Sequence, residues 1–133
     1  MLFVYLIEDH AVFGSRVRHI YERMRERGDI LSTSTLTYGE VLTGPLKGGD
    51  SKLTDQMRQL FHADEIELLS FLCSTAELYA SIRAKGIASA PDAIHLATAA
   101  ENHTDLFLTN DKRLHRLTVP GIHFIAGLDG TIF

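Results

Sequence analysis

The pattern of hydrophobic and polar residues along the chain predicts helices that alternate with short strands. Apolar residues recur at helical spacing from about Val12 to Arg27, and Gly28 ends that run. The segment from Ile30 to Ser34 then predicts a strand. A second helical pattern follows it, and we expect that helix to end at Gly44 and Pro45 because proline breaks helices.

The rest of the chain continues this alternation. It predicts first a helix capped by Asp50 or Ser51 and a strand in 65–71. Two helices follow: one is capped by Ser74 or Thr75 with Glu77 as its capping-box partner, and the next has Pro91 in its first turn. The chain then predicts a strand over 105–108, a short helix in 112–117 and a strand in 121–127. Such alternation implies right-handed βαβ units on a mostly parallel sheet. Because no repeat or linker interrupts it, we predict one α/β domain over residues 1–133.

The first ten residues, MLFVYLIEDH, fit two structures equally well. Six apolar residues from Leu2 to Ile7 could form a buried strand that carries Glu8 or Asp9 at its carboxyl end, or they could belong to a buried helix. Strand propensity favours the first alternative. The hydrophobic pattern alone leaves the choice open.

Composition is typical of a soluble globular protein, with 45% apolar and 23% charged residues. The longest apolar run is far short of a membrane span. A secretory signal needs a basic segment before its apolar stretch, and the given sequence has none before Leu2. The single cysteine, Cys73, excludes an internal disulfide and fits a reducing cytoplasm. We expect this side chain to be a small buried hydrophobe.

The net charge of −4 argues against a protein covered by nucleic-acid-binding surface. Basic residues nevertheless cluster in two segments, 16–27 and 112–116. These segments could be solvated helix faces, which is the usual meaning of a charge run, or a phosphate-facing strip on an otherwise acidic protein.

Three acidic residues stand where the predicted sheet should open. Glu40 follows the strand that ends at Ser34, Asp92 lies at a helix start, and Asp111 follows the strand over 105–108. Alone, each aspartate could stabilise a helix N-terminus, and Glu40 could face solvent. Together, three carboxylates at one sheet edge would repel one another unless a cation neutralised them. Hard oxygen ligands favour Mg²⁺ or Mn²⁺, which can activate water toward a phosphodiester.

Three segments resemble the later acidic motifs of PIN domains, and of VapC-type toxins in particular: STLTYGEVLTGPL, PDAIHLATA and FLTNDKRL. The segment YLIEDHAVFG resembles the first helix of that family, so the similarity covers nearly the whole chain in the correct order. The resemblance implies a three-layer α/β/α fold with a mostly parallel central sheet. It also implies a metal-dependent endoribonuclease that hydrolyses RNA with Mg²⁺ or Mn²⁺.

Carried over by position, the resemblance makes Glu40, Asp92 and Asp111 both the catalytic residues and the metal ligands. Thr109 and Asn110 match polar positions beside the last acid, and Ser34 or Thr35 matches a hydroxyl near the second motif. The implied partners are an RNA substrate, an antitoxin protein and a second copy of the chain, in the cytoplasm and without a membrane.

Matching YLIEDHAVFG to the first helix places the first acid of the family before Met1. The chain would then lack the first strand and its aspartate, and we favour this alignment over the strand alternative. Two hypotheses follow. The first is a ribonuclease toxin whose metal ion is held by the remaining acids. The second is a metal-poor binding and dimerisation module that is catalytically impaired because the first acid is missing.

Overall fold

The computed structural model describes residues 14–129. The elements in chain order are α1 (Gly14–Arg27), β1 (Leu31–Ser34), α2 (Thr35–Lys47), α3 (Ser51–His62), β2 (Ile66–Leu69), α4 (Cys73–Ala84), α5 (Ala90–Glu101), β3 (Leu106–Leu108), a 3₁₀ turn (Leu114–Arg116) and β4 (Phe124–Ala126). Within the described part, this order confirms the predicted alternation of helices and strands. The choice between helix and strand for 2–7, with Glu8 or Asp9, lies outside the described residues.

The chain forms two compact units, of which the first ends at Leu68 and the second begins at Leu69. A single domain over residues 1–133 therefore stays a prediction. In the first unit β1 pairs with β2. Its core is a cluster of buried side chains from α2, α3 and β2: Val41, Met57, Phe61 and Ile66.

Helix α2 corrects the prediction that Gly44 and Pro45 end it, because the helix continues to Lys47. Pro45 stands in the last turn, where its missing N–H costs only one hydrogen bond. The turn is closed by Gly48, whose N–H donates to the carbonyl oxygen of Gly44 at 3.0 Å. The carbonyl of Pro45 in turn accepts from the N–H of Asp50 at 3.0 Å, so the proline is built into the helix end.

The second unit holds the parallel strand pair β3 and β4, in register Leu106 to Phe124 and Leu108 to Ala126. Helix α5 packs into the core of this unit through alanine and leucine side chains. The fully buried ones are Ala93, Leu96 and Ala97, each 0% exposed. Parallel pairing, as predicted, brings the carboxyl ends of β3 and β4 to the same edge.

The start of α4 differs from the prediction. Leu72 is the N-cap residue and the helix begins at Cys73. Thr75 instead sits in the first turn, where its buried Oγ1 accepts the N–H of Leu72 at 3.0 Å. Cys73 is exposed, so its expected burial is wrong. No helix within residues 14–129 is long and apolar enough to span a bilayer.

Candidate functional site

Asp111 lies just beyond the carboxyl end of β3, as the sequence predicts. The N–H of Thr109 donates to the carbonyl oxygen of Ala126 at 3.0 Å, which extends the pairing with β4 by one residue. The chain then turns, and the N–H of Asp111 donates to Oγ1 of Thr109 at 3.1 Å. Thr109, singled out in the sequence as a polar neighbour, thus fixes the backbone that presents Asp111.

Arg113 makes a two-pronged contact with Asp111. Its Nε lies 3.0 Å from Oδ1 and its terminal nitrogen lies 2.6 Å from Oδ2. The backbone N–H of Arg113 adds a third bond to Oδ1 at 2.9 Å. These hydrogen bonds from Arg113 lower the pKa of Asp111 to about 2. The carboxylate is therefore fully ionised at neutral pH.

Asp92 occupies the first turn of α5, again as predicted. Ser89 is the N-cap of this helix, and its Oγ accepts the N–H of Asp92 at 3.4 Å. The same hydroxyl donates to Oδ2 of Asp92 at 2.8 Å. Position and orientation of this carboxylate are therefore set by the cap, and its charge is favourable beside the helix N-terminus.

The charges of Asp92 and Asp111 both affect the pKa of the Arg113 guanidinium. The pKa of Arg113 is raised mainly by its hydrogen bond to Asp111, then by the charge of that carboxylate, and further by the charge of Asp92. Two acids from separate elements, the α5 start and the β3 end, thus contribute negative potential at one guanidinium.

Glu40 belongs to the first unit, where it is exposed on α2. Ser34 is the N-cap of that helix, and its buried Oγ accepts the N–H of Thr37 at 3.3 Å. Ser34, one of the two hydroxyl residues that the resemblance matches near the second motif, therefore caps this helix. Glu40 follows the end of β1 by one to two turns, as the sequence predicts.

The basic segment of α1 is engaged with acids. The ion pairs there are Arg23 with Glu26 at 2.8 Å, Arg25 with Glu65 at 3.7 Å and Arg27 with Asp29 at 3.2 Å. All three arginines keep large parts of their side chains exposed. Of the two alternatives for this segment, the contacts favour a solvated, salt-bridged helix face.

The donor chemistry fits a hard divalent cation. Two of the three candidate carboxylates lie in the second unit, and Mg²⁺ is usually held by one or two carboxylates with several waters. Within residues 14–129, neither unit groups three His, Cys, Asp or Glu side chains as a metal cage. Of the candidate ligands, Asp92 and Asp111 lie in the second unit and Glu40 lies in the first.

Three residues near these acids make contacts that the sequence does not predict. A serine three residues before Asp92 is a capping-box pattern that could have identified Ser89. Arg113 was foreseen only as a possible phosphate contact. His115 places Nε2 2.9 Å from the carbonyl oxygen of Thr109, and its ring lies against Gly127, where a Cβ would come within 2.6 Å of Cε1. No sequence pattern signals this packing of His115.

Parallel strands with flanking helices, and acids at strand and helix ends, define an α/β protein. The family model of the PIN domain matches residues 2–120, and the chain belongs to the PIN domain family. PIN domains are generally metal-dependent nucleases that act on RNA or DNA. The helices and short parallel strands agree with the predicted α/β/α fold class. A search of curated proteins finds no match to the chain.

Proposed function

We propose that this protein is a metal-dependent endoribonuclease, and the toxin of a toxin–antitoxin pair of VapC type. Glu40, Asp92 and Asp111 would hold Mg²⁺ or Mn²⁺ and carry the hydrolysis of RNA phosphodiesters. The observation that carries the proposal is that one unit presents Asp111 just beyond the end of β3 and Asp92 in the first turn of α5. That edge is where α/β folds place their chemistry.

The side chains of the second unit are prepared for this task. Asp111, with its pKa near 2, needs to release no proton before it binds a cation at neutral pH. Asp92 is oriented by Ser89, so little side-chain freedom is lost on binding. A bound Mg²⁺ or Mn²⁺ would polarise a phosphoryl oxygen and lower the pKa of a bound water. Glu40 would add the third negative charge.

The test is cleavage of RNA by the purified chain, and by a version extended upstream, in Mn²⁺, in Mg²⁺ and in excess chelator. We expect metal-dependent cleavage that falls to the buffer background in Asp92→Asn, Asp111→Asn and Glu40→Gln. Asp105→Asn is the matched control, because this carboxylate in the same unit is 90% exposed and pairs with His123. Undiminished cleavage by Asp92→Asn, or in chelator, would reject the proposal.

The second candidate is a metal-poor binding and dimerisation module. The contact that favours it is the fork of Arg113, a cation of the protein itself that pairs with both oxygens of Asp111. It predicts millimolar or undetectable Mn²⁺ affinity in calorimetry, together with tight binding of an antitoxin or of a second copy, seen by sedimentation. Micromolar Mn²⁺ binding that Asp111→Asn removes would decide against it.

A cytoplasmic location belongs to the same proposal. Cys73 is an exposed free thiol, which fits a reducing compartment. Lysis of cells under acid quench, followed by labelling of Cys73 with a thiol reagent, would show whether Cys73 is reduced in vivo.

A further inference from the structure

Among the candidate metal ligands, Asp111 makes the most specific contact, a two-pronged pairing with Arg113. Arg113 follows Asp111 by two residues, and the tight turn lets both its backbone N–H and its guanidinium reach the same carboxylate. Together they use both carboxylate oxygens of Asp111. The Asp111 side chain is only 26% exposed, whereas that of Arg113 is 84% exposed. The arginine is thus far more exposed to solvent than the carboxylate that it contacts.

We propose that Arg113 is a built-in competitor of the divalent cation, holding both oxygens of Asp111 when the cation is absent and leaving at least one of them when it binds. The inference rests on the proposed function, since it takes Asp111 as a metal ligand. It assigns Arg113 a regulatory role: the residue sets the metal concentration at which the site fills.

The chemistry of the two cations makes the competition direct. An Arg–carboxylate fork occupies the oxygen lone pairs in the plane of the carboxylate, which are also the positions that a metal ion uses. A divalent ion and a guanidinium in contact with the same oxygens also repel each other. The exchange is easy, because an exposed guanidinium is well hydrated once released, and exposed ion pairs are weak.

The backbone bond need not break during this exchange. The N–H of Arg113 donates to Oδ1 independently of the guanidinium, so it can keep Asp111 oriented after the side chain has swung away. This separates the two roles of Arg113: the main chain positions the carboxylate, and the side chain blocks it. A substitution of Arg113 thus removes the block and preserves the orientation.

Isothermal calorimetry with Mn²⁺ on the full chain tests the proposal. Arg113→Gln removes the fork and should tighten Mn²⁺ binding by about two- to fivefold, the range expected for an exposed ion pair. Arg113→Lys retains the charge but not the fork, and should also tighten binding, by less. Arg116→Gln is the control, since it removes the same charge from an exposed residue of the adjacent 3₁₀ turn and should change the affinity less than Arg113→Gln does.

Nuclear magnetic resonance supplies a readout that is independent of activity and affinity. The Nε–Hε signal of Arg113 should shift toward that of a free guanidinium when Mg²⁺ is added to the wild type. In Asp111→Asn the signal should start near the free position and not respond to Mg²⁺. A wild-type signal that stays fixed while Mg²⁺ saturates the site would overturn the competition.

The outcomes separate this inference from the proposed function. If Asp111→Asn abolishes Mn²⁺ binding while Arg113→Gln binds as the wild type does or more weakly, Asp111 is a ligand and the competitor role is wrong. If Asp111→Asn binds Mn²⁺ with wild-type affinity, Asp111 is not a ligand, and both the inference and the proposed site fall. Tighter binding by Arg113→Gln with loss in Asp111→Asn supports both.

Discussion

The backbone of Gly121 lies directly against the carbonyl group of Ala100, at the end of α5. A Cβ on Gly121 would stand 2.5 Å from that carbonyl oxygen, and the glycine has φ of +98°, where side chains are strained. This close approach anchors the C-terminal turn of α5 to the loop before β4. Since α5 carries Asp92 at its other end, the contact helps to fix the helix that presents the acid.

Gly121→Ala should therefore destabilise the protein by about 2 kcal/mol or more, because the new methyl group adds backbone strain to a clash with backbone atoms that cannot turn away. Chemical denaturation followed by circular dichroism measures the change. Gly86→Ala is the matched control: its φ is +68°, but nothing lies within 4 Å of the new Cβ. Equal losses in the two variants would show that the approach to Ala100 costs nothing.

Ser89→Ala should remove the cap of α5 and cost about 1 kcal/mol of stability. The loss arises because Ser89 both accepts from the N–H of Asp92 and donates to its carboxylate. Ser89→Thr keeps the hydroxyl and should retain most of the stability. Thermal unfolding of the three proteins provides the comparison, and a Ser89→Ala protein as stable as the wild type would contradict the capping role.

One substitution at two glycines should have opposite effects. Gly39 lies within α2, and nothing lies within 4 Å of the Cβ that an alanine would add there, so Gly39→Ala should stabilise the protein by roughly 0.5–1 kcal/mol through helix propensity. Gly49 has φ of +67° in equally open space, so Gly49→Ala should destabilise it. Urea denaturation at constant pH distinguishes the signs. Stabilisation by both variants would refute the conformational argument.

The order of elements was predictable because hydrophobic periodicity and caps are local properties of the sequence. The sequence offers Asp50 or Ser51 as the cap of α3, and the structure has Asp50, whose Oδ1 accepts the N–H of Leu53 at 3.0 Å. Pro45 misled the prediction, because the penalty of a proline depends on how many helical bonds follow it. Asp92 and Asp111 were placed by strand and helix ends, but the fork from Arg113 depends on the turn geometry, which the sequence does not specify.

The pKa of Asp111 links this fork to stability. It is about 2 in the folded chain, below the value of the unfolded chain, so folding favours the ionised acid. The resulting stability is present in full above about pH 4, the ordinary value for an aspartate, and is lost as the pH falls toward 2. Arg113→Gln should raise the pKa of Asp111 and shrink the part of the acid-induced loss that this residue causes.

Carbon-detected NMR titration of the Asp111 carboxyl group measures this directly. In the wild type the chemical shift should titrate near pH 2, whereas in Arg113→Gln its midpoint should move up toward the ordinary aspartate value. Arg116→Gln controls for the general loss of a positive charge and should move the midpoint less, because the hydrogen bonds from Arg113 are the largest cause of the lowered pKa. Equal midpoints in wild type and Arg113→Gln would mean that the guanidinium does not hold Asp111 in solution. The carboxylate would then be open to a cation from the start, with Arg113 playing no part in its occupancy.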